Sequence, residues 1–270
     1  MWHYDPNRFD QRNEPLMRAL AGLVRGFVRP YHRATVEGIE RIPKGAALYV
    51  GNHNGALLSI DTFIAFSEVL LERGIADAPF GLTHSIIIRM PGLNQILVPL
   101  GGVEASPENA DRLLESDHKV LVYPGGDIEA MRPYSERHRV KFGGRRGWIR
   151  LALRHGVPVV PLVAAGAHAT LIILSDQPKI ARALGLNKLL RTEVWPLALS
   201  IPWGLTFGPP PPYFPLPTKI AIEFLEPMRF ERVGPDAAGD DAYVDTCAYR
   251  VESKIQHALH RLVDERLDSN

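Results

Sequence analysis

From Ala46 onward, short apolar runs alternate with helix-like segments, and this alternation restricts the fold more than any other feature of the chain. "AALYVGN" (46–52), "APFGLTH" (78–84), "KVLVYPGG" (119–126) and "VPVVPLVAAG" (157–166) are nearly all apolar, as strands buried on both faces must be. Between them, "IDTFIAFSEVLLERG" (60–74) reads as a helix ended by Gly74. "SPENADRLLESD" (106–117) is a helix with Ser106 as N-cap, Pro107 at its first position and Glu108 in its first turn. "GRRGWIRLALRHG" (144–156) is another, "TKIAIEFLEP" (218–227) a late strand, and residues 241–266 a long C-terminal helix. The pattern predicts an α/β fold with a mainly parallel central sheet flanked by helices. Such sheets bind ligands beyond the carboxyl ends of their strands. Gly51-Asn52-His53, Tyr123-Pro124-Gly125-Gly126 and Ala165-Gly166 all follow strands, so one common edge is expected for them.

Two stretches depart from the alternation. "PLMRALAGLVRGFV", Pro15 to Val28, puts Leu16, Leu20, Leu23, Val24 and Phe27 on one helical face, with Arg18, Arg25 and Arg29 around it. It is either a helix packed on the domain or a basic amphipathic helix lying on a membrane surface. Residues 194–217 carry no charge and hold Trp195, Trp203 and eight prolines, which rules out a continuous helix. This is either a buried proline-rich loop or a segment dipping into a bilayer, since Trp and Tyr suit the membrane interface. No run offers the roughly 18 clean apolar residues of a spanning helix. The expected organisation is an amphipathic helical segment over residues 1–33 and one α/β domain over 34–270, which includes the apolar loop 194–217 and the helix 241–266.

Composition excludes several function classes. A net charge of +1 supplies no bulk field for nucleic acid. The single cysteine, Cys247, excludes an intramolecular disulfide and a C-x-x-C site. The polar start "MWHYDPNRFDQRNEP" is not a signal peptide. There is no G-x-S-x-G elbow, no phosphate-binding G-x-x-x-x-G-K-[ST] loop, no H-E-x-x-H and no G-x-G-x-x-G.

What remains is a histidine after one strand, a glycine turn after another, and a third strand beside them. "GNHNGALLSID" (51–61), "GGVEASPENA" (101–110), "VYPGGDIEAMRP" (122–133) and "GVPVVPLVAAG" (156–166) stand in the order and spacing of the motif blocks of the glycerolipid, or lysophospholipid, acyltransferase superfamily. The chain resembles that superfamily over about residues 34 to 230. The resemblance implies transfer of an acyl chain from a thioester, usually acyl-CoA as co-substrate with no resident cofactor or metal, to a hydroxyl on a lipid. His53 matches the family's base, which takes the proton of the attacking alcohol. A carboxylate behind it would fix its tautomer, and backbone N–H groups at a glycine turn would hold the oxyanion. On this resemblance the catalytic pair is His53 and Asp61. Asn52, Tyr123, Pro124, Gly125, Gly126, Glu129 and Arg132 are the substrate- or oxyanion-binding candidates.

The departures carry information too. The family's first block reads N-H-x-x-x-x-D, but Asp61 here lies farther on, and Leu58 holds the usual aspartate position. A continuous helix would part His53 from Asp61 by about 12 Å. Either "NGALLS" bulges, with Gly55 permitting the turn, or Asp127 or Glu129 serves instead; Asp61 as a helix N-cap is the bland alternative. His84, before "SIIIRMP", marks a helix start beside the same edge. Relatives acting on glycerol phosphates carry arginines in the second block and in F-P-E-G-T-R, which would clamp phosphate. Here Ala105 and Ile128 stand near those positions and Gly125 replaces the glutamate. The Tyr-Pro-Gly-Gly form resembles the neutral-lipid branch, the monoacylglycerol and diacylglycerol acyltransferases and plant phytyl ester synthases. That implies a neutral lipid acceptor. A lysophospholipid or glycerol-phosphate acceptor with a displaced phosphate site at Arg132 remains the alternative. So do an esterase or thioesterase using water, and a non-catalytic lipid-binding adaptor. Arg137, Arg139, Lys141, Arg145 and Arg146 form a solvated face or a site for anionic groups. The uncharged stretch 195–217 would cap an acyl channel. The expected location is peripheral, on the cytoplasmic face of a membrane.

Overall fold

The protein is described here by a computed structural model; the described residues are 3–56, 58–183, 185 and 192–268. Met1 and Trp2 of the N-terminal segment, and Leu57 of the first motif block, lie outside them. Ten strands are formed among the described residues: β1 Thr35–Glu37, β2 Ala47–Gly51, β3 Phe80–Thr83, β4 Gly102–Glu104, β5 Lys119–Val122, β6 Val159–Ala165, β7 Ile172–Ser175, β8 Leu197–Ser200, β9 Gly204–Phe207 and β10 Ala221–Phe224. Seven make the central sheet in the order β1-β10-β6-β2-β5-β3-β4. Strands β6, β2, β5, β3 and β4 run parallel, while β10 pairs antiparallel with β6 and carries β1 beside it. The fold is thus α/β with a mainly parallel sheet, as the alternation predicts.

The sheet is covered on both faces because its strands are apolar on both. In β2, Leu48 and Val50 enter one cluster, while Ala47 and Tyr49 enter the other. In β6, Val159, Val163 and Ala165 go to the first cluster, and Val160, Leu162 and Ala164 to the second. This period of two is the pleat itself. The first face is covered by α6 (Pro107–Glu115), α8 (Gly147–His155) and the C-terminal helix Asp241–Asp268. That long helix buries Val244, Cys247, Ala248, Val251, Ile255, Leu259, Leu262 and Val263, a stripe at helical spacing. The second face is covered by α3 (Ile60–Arg73), which buries Ile64, Ala65 and Val69.

The N-terminal segment differs from one smooth helix. Helix α1 spans Glu14–Leu23 with Asn13 capping it, the next turn, Val24–Val28, widens to a π-turn, and α2 is short, Arg29–Tyr31. Met17 and Ala21 pack against Leu70 and Ala78, and Val24 reaches the second core cluster. Arg25 and Arg29 both pair with Glu68, whose side chain is 1% exposed, so these arginines are committed to α3. Leu16, Leu23, Phe27 and Tyr31 stay exposed. The apolar positions of this segment therefore split between a packed face and an open one.

The uncharged stretch 194–217 is not an irregular loop. It folds as the hairpin β8–β9, which joins β7 in a second, antiparallel sheet. The prolines flank the strands instead of interrupting them, which is where residues without an N–H are tolerated. Its inner face, Ile173 and Ala198 with Leu171 and Tyr213, packs on Ala56, with Leu58 and Met131 at the margin. On the outer face Leu199 faces Leu205 and Leu197 faces Phe207 across the hairpin. Leu199, Ile201, Trp203, Leu205, Phe207 and Phe214 are exposed. Tyr31 donates to Pro215 O at 2.9 Å, which ties the end of the N-terminal segment to the chain that follows this sheet.

The Glu68 anchor gives a test. Glu68→Gln removes the charge that holds Arg25 and Arg29, so amide exchange should rise in residues 14–31 while the sheet strands keep their protection. Equal exchange in the N-terminal segment of both proteins would show that apolar packing alone holds it.

Candidate active site

The carboxyl ends of the adjacent parallel strands β2, β5 and β6 bring the three glycine turns onto one edge. At the end of β2, Asn52 leaves the ladder with its side chain in place of its backbone. Its Nδ2 donates to Ala164 O at 3.0 Å and its Oδ1 accepts from Ala164 N at 2.9 Å. The amide thus extends the pairing to β6 by one step, and the chain is released to turn at His53. Asn52 is 1% exposed, and its amide serves the frame.

The following turn is left-handed at two successive residues, Gly55 at φ 66° and Ala56 at φ 46°. A Cβ on Gly55 would lie 2.7 Å from Leu58 O, so glycine is required there. The turn takes up the extra residues between His53 and Asp61. Helix α3 begins only after it, with Ser59 at its N-cap and Asp61 in its first turn. The bulge foreseen at Gly55 is present.

The imidazole of His53 is partly exposed and lies between two partners. Tyr123 stacks on it, with ring centroids 4.5 Å apart and planes inclined by 20°. Gly51 makes room for this stack, since a Cβ there would fall 2.6 Å from Tyr123 Cε1. Tyr123 is itself tethered through its hydroxyl to Thr62 Oγ1. On the other side Ser59 Oγ lies 3.2 Å from His53 Nδ1, and the same hydroxyl reaches Asn54 O at 3.1 Å. Asp61 makes no hydrogen bond to the ring. Its Oδ2 accepts from Asn54 Nδ2 at 2.9 Å, and its Oδ1, also buried, has no partner among the described residues. Of the reserve carboxylates, Glu129 Oε2 accepts from the backbone N–H of His53 at 3.0 Å, not from its ring. Asp127 accepts from Thr192 Oγ1 and Glu193 N, tying α7 (Gly126–Ala130) to the approach of the hairpin.

Arg132 corrects a sequence-based expectation. It is fully buried, and all five guanidinium N–H groups have protein acceptors. Nη1 donates to His53 O and Glu129 O at 2.6 Å each, Nη2 to Asn54 Oδ1 at 2.8 Å and Arg137 O at 2.9 Å, and Nε to Glu136 O at 3.1 Å. No donor is left for a substrate phosphate. The guanidinium is a buried strut joining the His53 turn to the segment after α7.

The glycine turn after β5 is similarly constrained. Gly126 N–H closes the turn on Tyr123 O at 3.0 Å. A Cβ on Gly125 would lie 2.3 Å from Glu129 Cβ, 2.4 Å from Glu129 Oε2 and 2.4 Å from Lys141 O. The Glu129 side chain therefore fills the place that a side chain at 125 would take, and accepts from Lys141 N as well as His53 N. Arg145 lies over Gly126, donates to Pro124 O at 3.1 Å and pairs with Glu193 and Asp127. At the same edge, two strands along, His84 caps α4 (Ser85–Arg89) by accepting from Ile86 N. Ala105 and Ile128 bring no charge to the edge.

Burial dominates the protonation of the group. It pushes His53 down to about 4, helped by the positive charge of Arg132. It pushes Asp61 up to about 6 against its bond from Asn54, and Glu129 up to about 7 against Arg132 and its two backbone donors. At neutral pH the imidazole is uncharged, with one ring nitrogen available to take a proton. Sequence reasoning missed Ser59 and Asn54 as parts of the site. A serine six positions after a histidine gives no signal until the turn at Gly55 and Ala56 is known.

The family model described as diacylglycerol acyltransferase matches residues 11–207. An uncharacterized protein of Mycobacterium tuberculosis is 30% identical over 251 residues, covering 90% of this chain and 65% of that protein. The DGAT1/2-independent enzyme synthesizing storage lipids of Mus musculus is 26% identical over 150 residues, 54% of this chain and 43% of that enzyme. Phytyl ester synthase 2, chloroplastic, of Arabidopsis thaliana is 30% identical over 151 residues, 52% of this chain and 21% of that protein. The chain thus spans at most about two thirds of the length of these relatives. Among solved structures, the 1-acyl-sn-glycerophosphate (LPA) acyltransferase PlsC of Thermotoga maritima shares the fold at a TM-score of 0.56 and 18% identity, over 92% of this chain and 79% of that one.

The buried strut sets a stability test. Arg132→Lys keeps the charge but has too few donors, and no planar fork, for five carbonyl and amide acceptors. Unfolding in urea should show a loss of about 3–5 kcal/mol, as when a buried network is broken. A variant as stable as the parent would deny the strut its structural role.

Proposed function

Since the chain belongs to the diacylglycerol acyltransferase family, we propose that it is an O-acyltransferase that moves a fatty acyl group from a thioester, with acyl-CoA as donor, to the hydroxyl of a neutral lipid. The observation that carries the reading is the uncharged imidazole of His53, stacked on Tyr123 at the carboxyl edge of the sheet. An alcohol is a poor nucleophile at pH 7, and a base at its proton is worth roughly 10²–10⁴-fold. The acceptor oxygen attacks the thioester carbonyl while His53 takes the hydroxyl proton. As the tetrahedral intermediate collapses, the carbon–sulfur bond breaks and the imidazolium returns the proton to the leaving thiolate. Products are an ester and a free thiol, with no covalent bond to the protein. The Gly125 N–H, at the turn beside the ring, is the candidate donor to the oxyanion.

The neutral acceptor follows from the charges near the base. A phosphate drawn from water needs Arg or Lys donors at fixed positions. Ala105 and Ile128 offer none, and Arg132 has all five of its donors committed. We therefore propose mono- and diacylglycerols and long-chain alcohols as acceptors ahead of lysophosphatidic acid or glycerol 3-phosphate.

Membrane attachment is the companion proposal. Among the described residues no helix is long and apolar enough to cross a membrane. The open face of the small sheet exposes Trp203 at 55%, Leu205 at 63% and Phe214 at 71%, and Phe27 of the N-terminal segment is 72% exposed. Such exposed apolar side chains suit a peripheral seat on a lipid surface, in keeping with substrates that reside there. The cytoplasmic face is the side we propose, because acyl-CoA is the donor.

Four measurements bear on this. In an assay with labelled acyl-CoA and a panel of lipid alcohols, new ester supports the reading; free fatty acid alone points to a thioesterase, and neither product to an adaptor. His53→Ala should lower turnover at least about 10²-fold in a folded protein. Because burial depresses His53 to about 4, the base is unprotonated well below neutrality. The acid limb of kcat/KM should therefore fall nearer pH 4 than the ordinary 6.5, and a limb at or above 6.5 would count against His53. Flotation with liposomes should weaken when Trp203 and Leu205 become Ser; unchanged flotation would remove the small sheet from the membrane seat.

A further inference from the structure

The sequence assigns the support of His53 to a carboxylate, but the structure puts a hydroxyl in that position. We infer that Ser59 is the positioning residue of the base: it fixes the imidazole as the Nδ1–H tautomer, with Asn54 and Asp61 holding Ser59 in turn. A serine hydroxyl has one proton. A carbonyl oxygen can only accept, and turning the Ser59 proton to Nδ1 would take this donor from Asn54 O, 3.1 Å away, so we place the proton on Asn54 O. Towards His53 Nδ1, 3.2 Å away, Ser59 therefore presents a lone pair, and Nδ1 must carry the hydrogen. The other nitrogen, Nε2, then keeps its lone pair, which is the form a general base requires.

Ser59 is itself held from two sides. It is the N-cap of α3, a helix whose buried face is locked into the second core cluster. Its acceptor, Asn54, is 1% exposed and cannot swing, because Arg132 Nη2 holds its Oδ1 and Asp61 Oδ2 and Asn52 O receive its Nδ2. Asp61 thus reaches the base through Asn54, whose side chain it holds and whose backbone carbonyl receives Ser59, and it makes no hydrogen bond to the ring. The charged groups around the imidazole are Arg132, Asp127, Glu129 and Asp61, with neutral Tyr123 and His168 beside them, and none of them bonds Nδ1. The base is accordingly held by a neutral partner, where a carboxylate partner would stabilise the imidazolium.

This rests on His53 as the base for its kinetic arm only; the tautomer is measurable without any substrate. Nitrogen NMR of histidine-labelled protein, with the His53 signals assigned by their loss in His53→Gln, should show Nδ1 protonated and Nε2 unprotonated at neutral pH. The Nε2–H form in the parent protein would overturn the inference whatever the reaction proves to be. In Ser59→Ala the same signals should move towards the Nε2–H form, and kcat should fall about tenfold or more with little change in KM. Ser59→Thr, which keeps the hydroxyl, should retain the parent tautomer. Ser59→Asp places a carboxylate at Nδ1. It should recover much of the kcat lost in the alanine variant and move the acid limb of kcat to higher pH, because the anion stabilises the imidazolium. A merely structural serine predicts an aspartate variant no better than alanine and a limb that stays where it was, and that result would overturn the inference. So would an acyl group found covalently on Ser59 by mass spectrometry, since it would make the serine a nucleophile.

Discussion

The five hydrogen bonds of the Arg132 guanidinium hold together everything that surrounds the proposed base. Two carbonyl groups of the segment after α7, one within α7, the carbonyl of His53 and the side chain of Asn54 converge on one planar cation. Without it the buried Asn54 Oδ1 and the carbonyl of His53 would lose the donor that holds them. The positive charge also explains why two carboxylates, Asp61 and Glu129, are tolerated at 4% and 0% exposure. It lowers the cost of ionising each of them while making a charged His53 less favourable. A cation placed for architecture thus tunes the electrostatics of its neighbours.

Much of this was legible in the sequence. The strands β2, β5 and β6 follow from their apolar runs, and the common edge follows from strands of one direction ending in glycine turns. The motif blocks led to the family, and Gly55 marked the turn that absorbs the long spacing to Asp61. Other elements gave no readable signal. Strands β1 and β4 are only three residues long, too short for an alternation to show. The hairpin β8–β9 was hidden by prolines, which forbid a helix but say nothing about strands between them. Its alternating burial, exposed at Leu199, Leu205 and Phe207, looks in sequence like an unbroken apolar run because both faces are apolar.

Within the site, the residues with obvious chemistry were easier to find than those that place them. His53, Tyr123 and the glycines stood out. Arg132 stood out for the wrong role, since an arginine near a motif reads as a clamp for anions and its five internal acceptors come together only in the fold. Asn52 was drawn towards substrate for a similar reason, yet its amide stands in for backbone. Ser59 and Asn54 depend on a left-handed turn, and sequence fixes the possibility of such a turn but not the side chains it brings face to face.

The space above Gly125 has a consequence for how such chains diverge. A carboxylate occupies that volume here by reaching back from position 129, one helical turn on. The related motif places a glutamate at the position of Gly125 itself. Here the acceptor for the backbone of the histidine turn comes from Glu129, and the volume admits only one side chain. A lineage passing from one to the other must lose the first carboxylate before the second can enter, or change both codons together. In an alignment deep enough to show it, the two positions should therefore be anticorrelated, with glutamate at either and almost never at both.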